Sequence, residues 1–130
     1  PGCAAVTTWS FASKHTGNIG KEGEDMAGRF LRDQGLKILK RNYRTRWGEV
    51  DIVARERDTI VFVEVKTRSK EAFGGPLSVV TREKQQRIRR MAEAYFIENG
   101  FQDVSARFDV VGIVKKNNGT PRIDWIKNAF

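Results

Sequence analysis

The stretch Thr59-Ile60-Val61-Phe62-Val63-Glu64-Val65-Lys66 decides the fold. Six of its eight residues are β-branched or aromatic, and the run is almost continuously apolar. That composition marks a central strand covered on both faces. Two charges interrupt it. Glu and Lys are rarely buried unless paired, and alternation along a strand points Glu64 and Lys66 to the same face.

The strand before it is Glu49-Val50-Asp51-Ile52-Val53-Ala54, with a turn at Arg57-Asp58 between the two. A two-residue turn pairs Glu56 with Thr59. Carried along the hairpin, that register sets Asp51 opposite Glu64 and Glu49 opposite Lys66, all on one face. Directly opposed like charges destabilise a sheet, so Asp51 and Glu64 ask for a cation between them. Carboxylate oxygens suit Mg²⁺ or Mn²⁺, and Mg²⁺ takes only one or two of them beside water and phosphate. The alternative is a structural ion pair of Glu64 with Lys66 or a nearby Arg.

Working outward, a helix is expected from Gly20 with the stripe Met26, Ala27, Phe30 and Leu31, stopped by Gly35. On its wheel Glu24 lies about 20° from Leu31, at the edge of the apolar stripe. Gly23 falls near the stripe's centre and lets the helix approach the sheet closely. Asp25 points to the opposite side, and Glu22 lies beyond the other edge. A strand is expected from Leu36 to Tyr43. Phe73-Gly74-Gly75-Pro76 makes a loop. Thr81 caps a second helix, which runs to Gly100 with the stripe Ile88, Met91, Ala92, Tyr95 and Phe96. Lys84 and Gln85 extend that stripe toward the helix start. Two strands close the chain, 106–114 and 122–126, joined by an Asn117-Asn118-Gly119 turn.

The order is therefore α-β-β-β-α-β with one further strand. It implies an α/β domain, a mixed sheet with helices packed on it. Residues 20–130 read as this single domain, and 1–19 as an N-terminal arm or tail.

Bulk properties bound the partners. The 130 residues include 24 Lys+Arg against 16 Asp+Glu, a net charge of +8. Such an excess favours a polyanion, and nucleic acid foremost; plain solubility is the competing explanation. Arg44, Arg46, Trp47, Arg68 and Lys70 flank the acidic strands, so a basic rim around an acidic pocket is expected. Arg82, Arg87, Arg89 and Arg90 spread over the other faces of the second helix, a density that suits phosphate contact, with a solvated face as the commoner meaning. No apolar run approaches the roughly 20 residues of a membrane helix. The first 20 residues lack the pattern of a signal peptide. The single cysteine, Cys3, and single histidine, His15, exclude thiolate zinc clusters and multi-histidine sites, and a reducing cytoplasm is the expected compartment.

An acid on one strand followed by Glu-Val-Lys on the next resembles the PD-(D/E)XK nuclease superfamily, which has a restriction-endonuclease-like αβββαβ core. Val50 stands where that pattern's name has proline. Glu24 looks like the helix glutamate of the resolvase-like branch. A closer similarity is to the YraN-like family of small bacterial proteins. It rests on GKEGED at 20–25, NYR at 42–44, GEVDIVA at 48–54, FVEVKTR at 62–68, FGGP at 73–76, VTREKQ at 80–85, RFDVV at 107–111 and the closing NAF.

This resemblance implies a nuclease-like fold and nucleic-acid binding, DNA ahead of RNA, with branched or junction DNA as one candidate. Asp51, Glu64 and Glu24 would hold the metal. Lys66 would orient the attacking water. Arg44, Arg46, Arg68, Lys84, Gln85 and Arg87 would contact the nucleic acid. A homodimer follows only by analogy with junction-cutting enzymes. A nucleic-acid-binding protein that keeps the fold without turnover is the alternative.

Overall fold

The structure is a computed structural model that describes residues 6–10, 19–69, 80–115, 119 and 121–130. The element order is β1 (Val6–Ser10), α1 (Ile19–Asp33), β2 (Lys37–Thr45), β3 (Gly48–Glu56), β4 (Thr59–Ser69), α2 (Arg82–Asn99), β5 (Ser105–Lys115) and β6 (Arg122–Ile126). The strands form one six-stranded mixed sheet in the order β1-β6-β5-β4-β3-β2. Only β4 and β5 run parallel; the α2 crossover between them makes this possible, since parallel neighbours need a long connection. The expected α/β architecture is thus the observed one. The loop at Phe73-Gly74-Gly75-Pro76 and Asn117-Asn118 of the last turn fall outside the described residues, as do Cys3, His15 and Lys70.

The apolar strand Thr59–Ser69 sits at the middle of the sheet, as its composition requires. Its side chains divide between two cores. Val61 and Val63 join Met26, Phe30, Leu31, Ile113 and Trp125 under α1. Ile60 and Phe62 join Tyr43, Val53, Ile88, Met91, Tyr95 and Phe108 under α2. Phe30 meets Trp125 edge to face at 5.7 Å.

Both helix ends follow local chemistry. Thr81 caps α2, its side chain accepting a hydrogen bond from the Lys84 N–H at 3.2 Å. Gly100 ends the helix in the left-handed region at φ 63°, where a residue without Cβ is least strained. Gly23 does what its place on the α1 stripe predicts. A Cβ there would collide with Thr67 Oγ1 on β4, so the glycine sets how closely α1 lies on the sheet.

Three details depart from the sequence reading. Part of the N-terminal arm, Val6–Ser10, is a strand, antiparallel to β6. Strand β2 carries a bulge between Ile38 and Lys40, and Lys37, Lys40 and Arg44 along this edge are exposed. Asp25 does not point away from the sheet: its carboxylate meets Arg41 of β2 at 2.7 Å.

Candidate metal and nucleic-acid site

The β3–β4 hairpin has the register expected from its two-residue turn. Pairing runs from Glu56↔Thr59 to Ile52↔Val63. There the ladder stops, one pair short of Asp51 and Glu64. In place of the next rung, the Asp51 carboxylate accepts a hydrogen bond from the Val65 N–H at 2.8 Å. The side chain thereby satisfies a β4 donor that the strand pairing no longer reaches. Glu49, expected opposite Lys66, lies beyond the end of this ladder and is bound instead by Arg44 Nε at 3.1 Å.

Asp51, Glu64 and Glu49 line one cavity of about 120 Å³. Lys84 reaches into it from the first turn of α2 and meets Glu64 at 2.7 Å. The helix stripe had aimed Lys84 at the sheet, and this ion pair is the result. Ile88 of α2, Phe108 of β5 and Phe130 belong to the apolar part of the wall. Phe130 stacks on Phe108 at 4.9 Å, and the Arg89 guanidinium lies over both rings.

The electrostatics single out Asp51. Burial, followed by repulsion from Glu24, Glu64 and Glu49, raises its pKa from 3.8 to about 6 even though the Val65 N–H pulls the other way. Glu24 projects from α1, on the far side of the sheet from α2, yet its charge is felt at Asp51. Arg41 lies 3.7 Å from Glu24 and partly offsets it. Glu22, expected beyond the stripe, is the more buried of the two acids.

A divalent cation suits this donor set in kind. Two carboxylates on one wall, one of them strained by its neighbours' charge, are what Mg²⁺ accepts alongside water. Among the described residues no three acidic, histidine or cysteine side chains gather into a ready-made cage. Glu64 would have to exchange Lys84 for the ion.

Lys66 shares the face of Glu64 by alternation and is half-buried. It does not line the cavity, and it makes no ion pair or hydrogen bond among the described residues. The candidate nucleic-acid contacts scatter. Arg44 is tied to Glu49. Arg46 lies over the Trp47 ring at 5.1 Å. Gln85 turns back to the Val80 carbonyl at 2.8 Å, away from the acids. Arg87 stands exposed on α2. Arg68 is on β4, with its side chain outside the described residues.

Asp109 has a structural task. Its side chain is fully buried and receives both Arg107 Nε and a second Arg107 nitrogen at 3.0 Å. It also accepts from Trp125 Nε1 and the Asn128 N–H at 2.9 Å. Arg107 bridges on to Glu56 at 2.7 Å. This network anchors the segment that delivers Phe130 to the cavity.

A mixed sheet with two covering helices, and acids gathered where two central strands part, defines the class of protein. Comparison with known sequences then places it more narrowly: the chain belongs to the uncharacterised protein family UPF0102, a model of which matches residues 23–113. That span contains Glu24, Asp51, Glu64, Lys66 and Lys84. A UPF0102 protein of Desulforapulum autotrophicum is 49% identical over 112 residues, which are 86% of this chain and 92% of that one. One from Geobacter sulfurreducens is 47% identical over 118 residues, 91% of this chain and 92% of the relative. One from Rhodococcus jostii is 43% identical over 116 residues, 89% and 98% of the two chains. The YraN-like resemblance read from the motifs is borne out by these matches. No helix among the described residues is long and apolar enough to cross a membrane.

Proposed function

We propose that this protein is a metal-dependent nuclease that hydrolyses phosphodiester bonds in nucleic acid, DNA ahead of RNA. The observation that carries the reading is the broken ladder. Asp51 leaves strand pairing to hold the Val65 N–H, and so stands with Glu64 on the wall of one cavity.

Asp51 and Glu64 would hold Mg²⁺ or Mn²⁺, with Glu24 contributing negative charge from α1. Such a cation, when bound, supplies charge against the phosphate oxygens and acidity to water. Lys66, with no acid partner among the described residues, would orient the attacking water and offset charge that builds up on the phosphate. Lys84, released from Glu64, would meet a phosphate oxygen. The net charge of +8 favours the polyanion at long range.

A second reading is a nucleic-acid-binding protein without turnover. The Lys84–Glu64 ion pair favours it, since a lysine already neutralises one of the two carboxylates.

The test is a cleavage assay with Mg²⁺ or Mn²⁺ on single strands, duplexes and four-way junctions. Parent, Glu64→Gln and Lys66→Ala are compared. Cleavage by the parent, lost in both variants while binding persists, supports the nuclease. Salt-sensitive binding without cleavage in any condition supports the second reading.

A further inference from the structure

Beside the acidic cavity runs a second groove of about 290 Å³, between the β2–β3 turn and α2. Glu49, Lys84 and Ile88 line both spaces, so the two are continuous. The parts belonging to the groove alone are Trp47, Gly48, Arg87 and Met91. Its walls combine an indole, a thioether and an aliphatic side chain with the cations Lys84 and Arg87 and the acid Glu49, which Arg44 neutralises.

The Trp47 ring is held but not hidden. The Trp47 backbone N–H donates to Thr45 Oγ1 at 3.0 Å, and that hydroxyl donates to the Gly48 carbonyl at 3.4 Å, which fixes the turn that presents the ring. Gly48 sits at φ 140°, a conformation that side-chain-bearing residues rarely adopt. The ring packs against the core under α2 and stays half-buried.

Of the groove's two cations, Lys84 is paired with Glu64 and Arg87 is not matched with an acid among the described residues. Three arginines near the sheet are matched with acids: Arg41 with Asp25, Arg44 with Glu49, Arg107 with Asp109. Arg46, like Arg87, has no acid partner among the described residues, but its guanidinium lies over the Trp47 ring at 5.1 Å, where a stacking base would displace it. An aromatic face with unpaired cations beside it suits a nucleobase and its phosphate. A base inside a duplex has both faces covered by its neighbours, so an indole can take only a base that has left the stack.

We propose that this groove binds an unpaired nucleobase on Trp47, with the adjoining phosphate held by Arg87 and led toward Asp51 and Glu64. The substrate is then single-stranded or locally unpaired nucleic acid. This deepens the nuclease reading and rests on the same site.

Binding is measured by fluorescence anisotropy in EDTA, which prevents cleavage, with a labelled single-stranded DNA, its RNA counterpart and a blunt DNA duplex. The parent should bind at least one single strand about tenfold more tightly than the duplex. Trp47→Ala should lose about tenfold on that strand, as expected for one stacked base, and less than twofold on the duplex. Trp47→Phe should keep most of the affinity, and Arg87→Ala should weaken the strand and flatten its salt dependence. The DNA and RNA arms identify the sugar. Unchanged single-strand binding in a folded Trp47→Ala, or equal loss on strand and duplex, overturns the proposal. If Trp47→Ala unfolds, a Trp47→Phe variant that loses the strand preference overturns it too. Trp47-dependent binding without cleavage keeps this inference and removes the nuclease reading; cleavage indifferent to Trp47 does the reverse.

Discussion

Replacing Asp51 by Asn should make the metal-free protein more stable at neutral pH. The carboxyl's pKa stands at about 6 in the fold against 3.8 as a free side chain, so the folded state holds its proton more tightly. Between those values the folded protein binds more protons than the unfolded chain, and stability falls as pH rises. Above pH 6 the whole cost stands. Taken at face value, a shift of about two units is about 3 kcal/mol. The group is half-buried and its neighbours are screened by solvent, which cuts this to about 1–2 kcal/mol. Asn keeps an acceptor for the Val65 N–H but gives up the charge-assisted part of that bond, about 0.5 kcal/mol. The net gain is about 1 kcal/mol, a rise in Tm of about 3–5 °C for a chain of this size. Thermal unfolding in EDTA at pH 7.5 and pH 4 checks it. The rise should be present at pH 7.5 and nearly absent at pH 4, where the parent's Asp51 is itself protonated. A lower Tm at pH 7.5, or the same rise at both pH values, would refute the electrostatic account of this site.

Three other perturbations probe the same frame. Lys84→Met should let Mg²⁺ reach Glu64 without competition, so the Mg²⁺ concentration giving half-maximal thermal stabilisation should fall several-fold; an unchanged midpoint would show that the lysine does not contend for that carboxylate. Asp109→Ala should cost about 2–4 kcal/mol, because it leaves the Trp125 and Asn128 N–H groups without their acceptor and Arg107 with Glu56 alone, and urea unfolding would read this as a lower midpoint at constant slope. Gly23→Ala should lower Tm despite alanine's better helix propensity, since its Cβ meets Thr67 Oγ1; a Thr67→Ala partner substitution should restore most of the loss.

The sheet's centre was legible because each of its signals is local. Composition marks β4, and a two-residue turn at Arg57-Asp58 fixes its register with β3. The Gly23 contact and the Thr81 cap follow from spacing and residue type in the same way. What escaped depends on distance. Val6–Ser10 is a short strand whose meaning comes from β6, more than a hundred residues later. The wheel of α1 turned Asp25 away because it was drawn against the core stripe, whereas Arg41 of β2 reaches that side. In sequence Lys66 and neighbouring arginines stand nearest to Glu64, but its partner is Lys84, delivered by a helix 20 residues on. The groove at Trp47 exists only where that helix passes the β2–β3 turn. Trp47 was noted in sequence merely as part of a basic rim.

The edge strand β2 bears on how these molecules behave when crowded together. An open row of backbone donors and acceptors invites a neighbour's strand, the first step toward runaway polymerisation. Here Lys37, Lys40 and Arg44 stand exposed along that row, and the bulge at Ile38/Lys40 throws it out of regular spacing. A second copy arriving edge to edge would meet like charge and a mismatched ladder. Edge-to-edge pairing of two copies along β2 is therefore disfavoured.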